Sequence, residues 1–314
     1  MKNKKTIMFV SSLLIIIFHL WVNVSKVNSA FFNIELFIRT ICYIGVDIFF
    51  FLTAYSLSKN EIKDYKKFII SRFIKIYLLY ILFTLIAFFY KNWSITDLIL
   101  SITGLQLFMK GGGAFLWFVP AIMIVYILLP LYNKCCNKKY LVWIIWLIIT
   151  IIVSKFTNYK EIFILTNRIP IILIGSYLSR NKVLDKINIK QYIVITILLL
   201  IIGFLLLYNY NNLKCDYIYD IKYLIALPFT LGLILILDLI PSNKLVNLIS
   251  SSTLEMYMIQ MLFGYDIANE LYFRLPIPIL YNIIIIIIII GISVLLHYIY
   301  GKIMNSKKLK VLFS

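Results

Sequence analysis

Residues 279–301 read ILYNIIIIIIIIGISVLLHYIYG, a run without Asp, Glu, Lys or Arg. A helix that crosses the hydrocarbon core of a bilayer needs about 20 predominantly apolar residues. This run is long enough, and its unbroken Ile283–Ile290 tract is too apolar for a water-facing surface. Similar runs recur along the 314-residue chain. It is 62% hydrophobic and 14% charged, with a mean hydropathy of +0.96, whereas soluble domains are about a quarter charged. The chain reads as an all-α, polytopic integral membrane protein.

Ten candidate spans follow: 6–26, 36–57, 71–90, 113–132, 140–154, 161–179, 191–209, 219–239, 245–264 and 279–301. The fifth is short and the third is interrupted by charge. A weaker apolar stretch at 95–110, carrying Asp97, suits an interfacial or re-entrant segment. No repeat, linker or soluble domain is visible, so residues 1–314 are expected to form one membrane domain without an extracytoplasmic enzyme.

The net charge of +18, from 31 Lys and Arg against 13 Asp and Glu, suits either a nucleic-acid binder or a membrane protein with basic cytoplasmic loops. The loops decide. With a cytoplasmic start, 21 of the 31 cations fall in the inner set, nine in the outer set, and Arg168 is left inside the sixth span. That bias follows the positive-inside rule. Both termini are expected in the cytoplasm, and nucleic acid is not expected as a partner.

Residues 1–30 resemble a signal peptide, with a Lys-rich start, an apolar core and Val27-Asn28-Ser29-Ala30. The apolar core, however, is longer than the usual 7–15 residues and holds His19 and Trp21, so it is read as a retained first span. Of the four cysteines, Cys135 and Cys136 are adjacent in a basic loop, and Cys42 and Cys215 are isolated. Neither a disulfide framework nor a metal site is expected.

His19 lies inside the apolar run Ile7–Val24. An ionisable group at membrane depth costs about 2.5–3.5 kcal/mol when charged at a helix centre. Counting 1.5 Å per residue from the inner helix ends puts His19 about 20 Å deep, and Asp47, Arg168 and Glu255 about 15–16 Å deep. These four groups on four helices should face the bundle interior and pair. A carboxylate beside an imidazole fixes its tautomer and raises its basicity, and Asp47 is the candidate for His19. The alternative is structural, with buried charges paired only to be satisfied.

A second cluster is Lys66, Lys67, Arg72 and Lys75 at the inner end of the third span. Arg72 and Lys75 are three apart and share a face if that segment is α-helical. Two such cations suit a phosphate-bearing ligand, although topology control and anionic-lipid contact explain them as well. His297 reads as structural. Gly111-Gly112-Gly113, before Trp117, matches no phosphate loop.

Taken together, these segments resemble the acyltransferase 3 family of membrane acyltransferases. Phe18-His19 stands where that family has its essential histidine. Gly45-Val46-Asp47-Ile48-Phe49-Phe50-Phe51-Leu52 is similar to its GVDxFFxL run, and Ser71-Arg72-Phe73-Ile74-Lys75 to its kRfxR segment. Leu116-Trp117-Phe118 with Tyr126 and Pro130, Arg168-Ile169-Pro170 with Gly175, and Ser251 to Gln260 with Glu255 and Tyr257 complete the order. The chain departs from the pattern at Met8, where the family usually has an arginine. It also departs at Thr53-Ala54, at Lys75, and at Gln260, where a histidine is usual.

The resemblance implies transfer of an acyl group, usually acetyl, from cytoplasmic acetyl-CoA to a hydroxyl of a cell-surface polysaccharide or its lipid-linked precursor. The protein would be a multi-pass enzyme of the bacterial cytoplasmic membrane. Acetyl-CoA would be a co-substrate, with no tightly bound cofactor and no metal. His19 and Asp47 would be catalytic, and Arg72 and Lys75 would hold CoA phosphates. Arg168, Glu255, Trp117 and Tyr257 would bind the acceptor or support the transition state. The rival reading is a polysaccharide or lipid-linked sugar translocator, since midplane charges also suit a transporter. Against it stands the lack of any inverted repeat in the sequence.

Overall fold

The computed structural model describes residues 1–60, 62–109, 116–135, 146, 148, 164–212, 222–275 and 277–304. Among them every regular element is a helix. In chain order these are α1 (Lys4–Leu20), α2 (Ala30–Ile41), α3 (Ile44–Leu57), α4 (Tyr65–Arg72), a π-helical turn (Phe73–Tyr77), α5 (Leu78–Tyr90), α6 (Ile95–Ile102), α7 (Gln106–Met109) and α8 (Phe118–Cys135). There follow α9 (Ile169–Arg180), α10 (Val183–Lys186), α11 (Ile189–Asn212), α12 (Lys222–Ile225), α13 (Leu227–Asp238), α14 (Lys244–Ser251), α15 (Thr253–Leu262), α16 (Gly264–Arg274) and α17 (Pro278–Met304).

Four helical stretches are long and apolar enough to cross a membrane: Ala30–Leu57, Tyr65–Tyr90, Ile189–Tyr210 and Pro278–Met304. They correspond to the second, third, seventh and tenth expected spans. The eighth is divided between α12 and α13, and the ninth is interrupted at Ser252 between α14 and α15. The fifth span lies outside the described residues except for Trp146 and Ile148, as do Gly111–Gly113, Cys136 and Cys215. The 95–110 stretch is two short helices, α6 and α7. Ser94 caps α6 by accepting the Asp97 N–H at 3.1 Å.

The chain groups into two compact units, residues 1–46 with 236–314, and residues 47–235. In the first unit α1 packs against α14, α15 and α17. α17 shows how an isoleucine tract serves both protein and lipid: Ile285 and Ile289 are buried, whereas Ile283 and Ile287 are 50% and 61% exposed. Gly45 allows α1 to pass close by. A Cβ there would stand 2.6 Å from the Ser11 carbonyl oxygen, and the Ser11 hydroxyl donates to the Gly45 carbonyl.

α1 ends at Leu20, six residues before the end of the expected span. No glycine or proline stops it. Trp21 turns extended (φ −71°, ψ 132°), and the backbone beyond it finds partners elsewhere. The Asn282 side chain accepts the Val22 N–H at 2.8 Å and donates to the Val22 carbonyl at 2.7 Å. Glu35 Oε2 accepts the N–H groups of Val24 and Ser25 at 3.1 and 2.8 Å. Backbone groups in apolar surroundings must be paired, and these two side chains take over from the helix.

In the second unit α3, α8 and α9 run the same way. Asp47 meets Arg168 at their starts, and the Ser179 hydroxyl donates to the Tyr55 carbonyl at 2.7 Å near their ends. Asn133 near the end of α8 donates to Ser58 at 2.8 Å, while Phe118 at its start lies against Phe49 and Phe50. Gly175 sets the α3–α9 spacing, since a Cβ there would stand 2.8 Å from the Phe51 carbonyl oxygen.

Candidate active site

His19 occupies the last turn of α1 and is half-buried. It lines an open cavity of about 410 Å³ with Trp21, Asn23, Arg39, Tyr265, Asn269 and Tyr281. The early end of α1 is what opens this space, because the extended segment after Leu20 carries Trp21 and Asn23 to its wall. Phe18 packs edge-on against the imidazole, with ring centroids 5.0 Å apart. The Asn23 amide nitrogen is buried without a hydrogen-bond partner among the described residues, a spare donor in a polar wall. The cavity thus combines a base, a guanidinium, two amides and several aromatic rings. Such a set suits a hydroxylated acceptor whose reaction develops negative charge.

Arg39 is one of the nine cations of the outer set read from the sequence. It stands in the last turn of α2 and shares the His19 cavity. Its signal in the sequence is its place in an otherwise apolar stretch, four residues after Glu35. Tyr265 and Asn269 had no such signal.

Asp47 has Arg168 as its partner. Both side chains are 3% exposed, with Nε 2.7 Å from Oδ1. Asp47 sits in the first turn of α3, where the helix dipole favours a carboxylate. Arg168 immediately precedes α9, whose start is shaped by Pro170, and its Nη1 donates to the Ile164 carbonyl at 3.0 Å. The guanidinium carbon lies 4.3 Å from the Tyr223 ring centroid and 5.3 Å from that of Trp117. Trp117, singled out from the sequence, therefore acts on Arg168 through its ring face, and Tyr223 joins it.

Glu255 lies in the first turn of α15. Its partner is His297 of α17, whose Nδ1 donates to Oε1 at 2.7 Å; the carboxylate side chain is 4% exposed and the imidazole 41%. A carboxylate–imidazole pair was expected between Asp47 and His19. Within the first unit the structure forms one between Glu255 and His297. Tyr257, two residues on, is buried in α15. Gln260 is buried with neither side-chain polar atom bonded among the described residues.

Arg72 and Lys75 do not share one environment. Helix α4 ends at Arg72 and the chain passes into the π-helical turn Phe73–Tyr77. A π turn changes the angular step between residues, so three positions no longer span one face. The Arg72 guanidinium is half-buried over the Phe68 and Tyr126 rings, 5.3 and 5.1 Å from their centroids, and Lys75 is exposed. Among the described residues no cluster of His, Cys, Asp or Glu has the makings of a metal site.

A family model described as "Acyltransferase domain", that of acyltransferase 3, matches residues 9–298. The chain belongs to the acyltransferase 3 family. The matched span includes His19, Asp47, Arg72, Lys75, Trp117, Arg168, Glu255 and Tyr257, and also the structural additions Arg39, Tyr223 and His297. Neither a curated protein nor a solved structure matches the chain. Family membership supports an acyltransferase activity, and the apolar helices together with the family mark a membrane protein.

Proposed function

We propose that this acyltransferase is a multi-pass O-acetyltransferase of the bacterial cytoplasmic membrane. It has about ten spans and both termini inside, and it moves acetyl from cytoplasmic acetyl-CoA to a hydroxyl of a cell-surface polysaccharide or its lipid-linked precursor. The observation that carries this reading is the open cavity in which His19 stands beside Arg39, Asn23 and aromatic rings. His19 takes the proton of the acceptor hydroxyl as the oxygen attacks the thioester carbonyl. Arg39 stabilises the resulting oxyanion. As the C–S bond breaks, the imidazolium returns the proton to the departing thiolate, leaving an ester and CoA.

Arg72 and Lys75 bind donor phosphates. Arg72 does so with the N–H edge of a guanidinium whose faces meet aromatic rings. Asp47 enters as the positioning partner of Arg168, which with Trp117 helps shape an acceptor site. Glu255 and Tyr257 support the acceptor in their own unit. The test is NMR of surface glycans from a deletion strain complemented with wild type or His19→Ala, with membrane insertion of the variant verified. O-acetyl signals should return with wild type and stay absent with His19→Ala. Signals restored by His19→Ala would contradict the mechanism.

A further inference from the structure

The second unit holds another cavity, of about 660 Å³, at the C-terminal ends of α3, α8 and α9. Lys59 and Lys63, Lys134, and Arg180 and Lys182 line it, coming from three separate stretches of the chain. No Asp or Glu lines it among the described residues. Its polar lining is built. Ser58 and Asn133 of the lining are joined at 2.8 Å and are backed by the buried Ser176, which bonds them at 2.8 and 2.9 Å, and Arg180 Nη1 donates to Asn133 Oδ1 at 3.3 Å. Lys182 has φ +49°, a left-handed conformation that side chains other than those of Gly, Asn and Asp rarely adopt.

Topology control alone needs cations in the inner connections. It does not need them around one cavity, where five like charges repel. An anion carrying several charges relieves that repulsion, and a cavity of this size admits a nucleotide-sized group. We infer that this cavity, whose lining includes neither Arg72 nor Lys75, binds a multiply phosphorylated anion. Two sources carry that chemistry: the phosphoadenosine end of CoA, or the head group of a lipid with two phosphates, such as cardiolipin. Only the first rests on the function proposed above.

The test compares wild type with K59Q/R180Q/K182Q, three exposed residues, and with K186Q/K190Q as a control that removes two charges outside the cavity. Each is purified into phosphatidylcholine nanodiscs. CoA binding is measured without acceptor, and cardiolipin retention is counted by native mass spectrometry in nanodiscs that contain it. Loss of roughly tenfold or more in affinity for either probe is expected in the triple variant, with the control near wild type. Loss of CoA binding identifies the donor as the source. Loss of cardiolipin alone identifies the lipid, and the site then stands even if the donor reading falls. A triple variant that binds both probes as wild type does, or a wild type that binds neither, overturns the inference. His19→Ala should leave both measurements unchanged, which separates this site from the proposed chemistry.

Discussion

Asp47 and Glu255 are both carboxylates buried to within 4% of full enclosure, and the two units satisfy them differently. Asp47 meets a permanent cation that is equally buried, braced by a backbone carbonyl and faced by two aromatic rings. Glu255 meets an imidazole that is 41% exposed and has no fixed charge. The first pair is a closed arrangement in which neither member can change without leaving the other stranded. The second keeps one nitrogen of its imidazole outside the pair, in contact with the surroundings. Burial alone therefore does not mark a reactive group. The case for His19 as the reactive candidate rests instead on the open cavity that it lines.

The sharpest contrast between the pairs is in stability. Arg168→Gln should cost about 3–5 kcal/mol by leaving Asp47 uncompensated, read as a fall in thermal unfolding temperature in detergent. Adding Asp47→Asn should recover much of that loss. A single variant as stable as wild type would show that the closed pair is not what holds these helix starts together. Gly175→Ala should cost about 1–3 kcal/mol by forcing α9 off the Phe51 carbonyl. The same measurement checks it, and no loss would mean that the helices are not held at this spacing. His297→Gln should cost about 1 kcal/mol, since it retains a donor for Glu255 on a more flexible side chain. A loss as large as that of Arg168→Gln would erase the distinction between the pairs. Tyr223→Leu should cost about 1 kcal/mol through the ring contact to Arg168. In the double variant with Arg168→Gln this added loss should vanish, and additive losses would show that Tyr223 acts elsewhere.

Much of this was legible in the sequence because membrane insertion writes its rules locally. Apolar run length and the rarity of groups such as Asp47, Arg168 and Glu255 each show within a short stretch of chain. Choice of partner does not. Asp47 and Arg168 are far apart in the chain, and their pairing depends on the close approach allowed at Gly175. The end of α1 depends on Asn282, 260 residues beyond Val22, so nothing in the apolar run Ile7–Val24 announces it. The separation of Arg72 from Lys75 comes from a π turn with no glycine or proline to signal it. Arg39 was visible as a charge in an apolar stretch and was counted with the outer cations, whereas its place at the His19 cavity was not visible. The inner cations were read as a topological signal, while the convergence of five of them on one cavity needed three helices running the same way.

The most direct measurement is release of free CoA thiol from acetyl-CoA by purified protein with its glycan acceptor, comparing wild type, Arg39→Gln and His19→Ala in the same nanodiscs. Removing a general base typically costs about 10²–10⁴-fold in rate, so His19→Ala should fall into that range with an unchanged unfolding temperature, and Arg39→Gln should lose about 10²-fold or more. Wild-type rates from His19→Ala would contradict the assignment of the chemistry to this cavity.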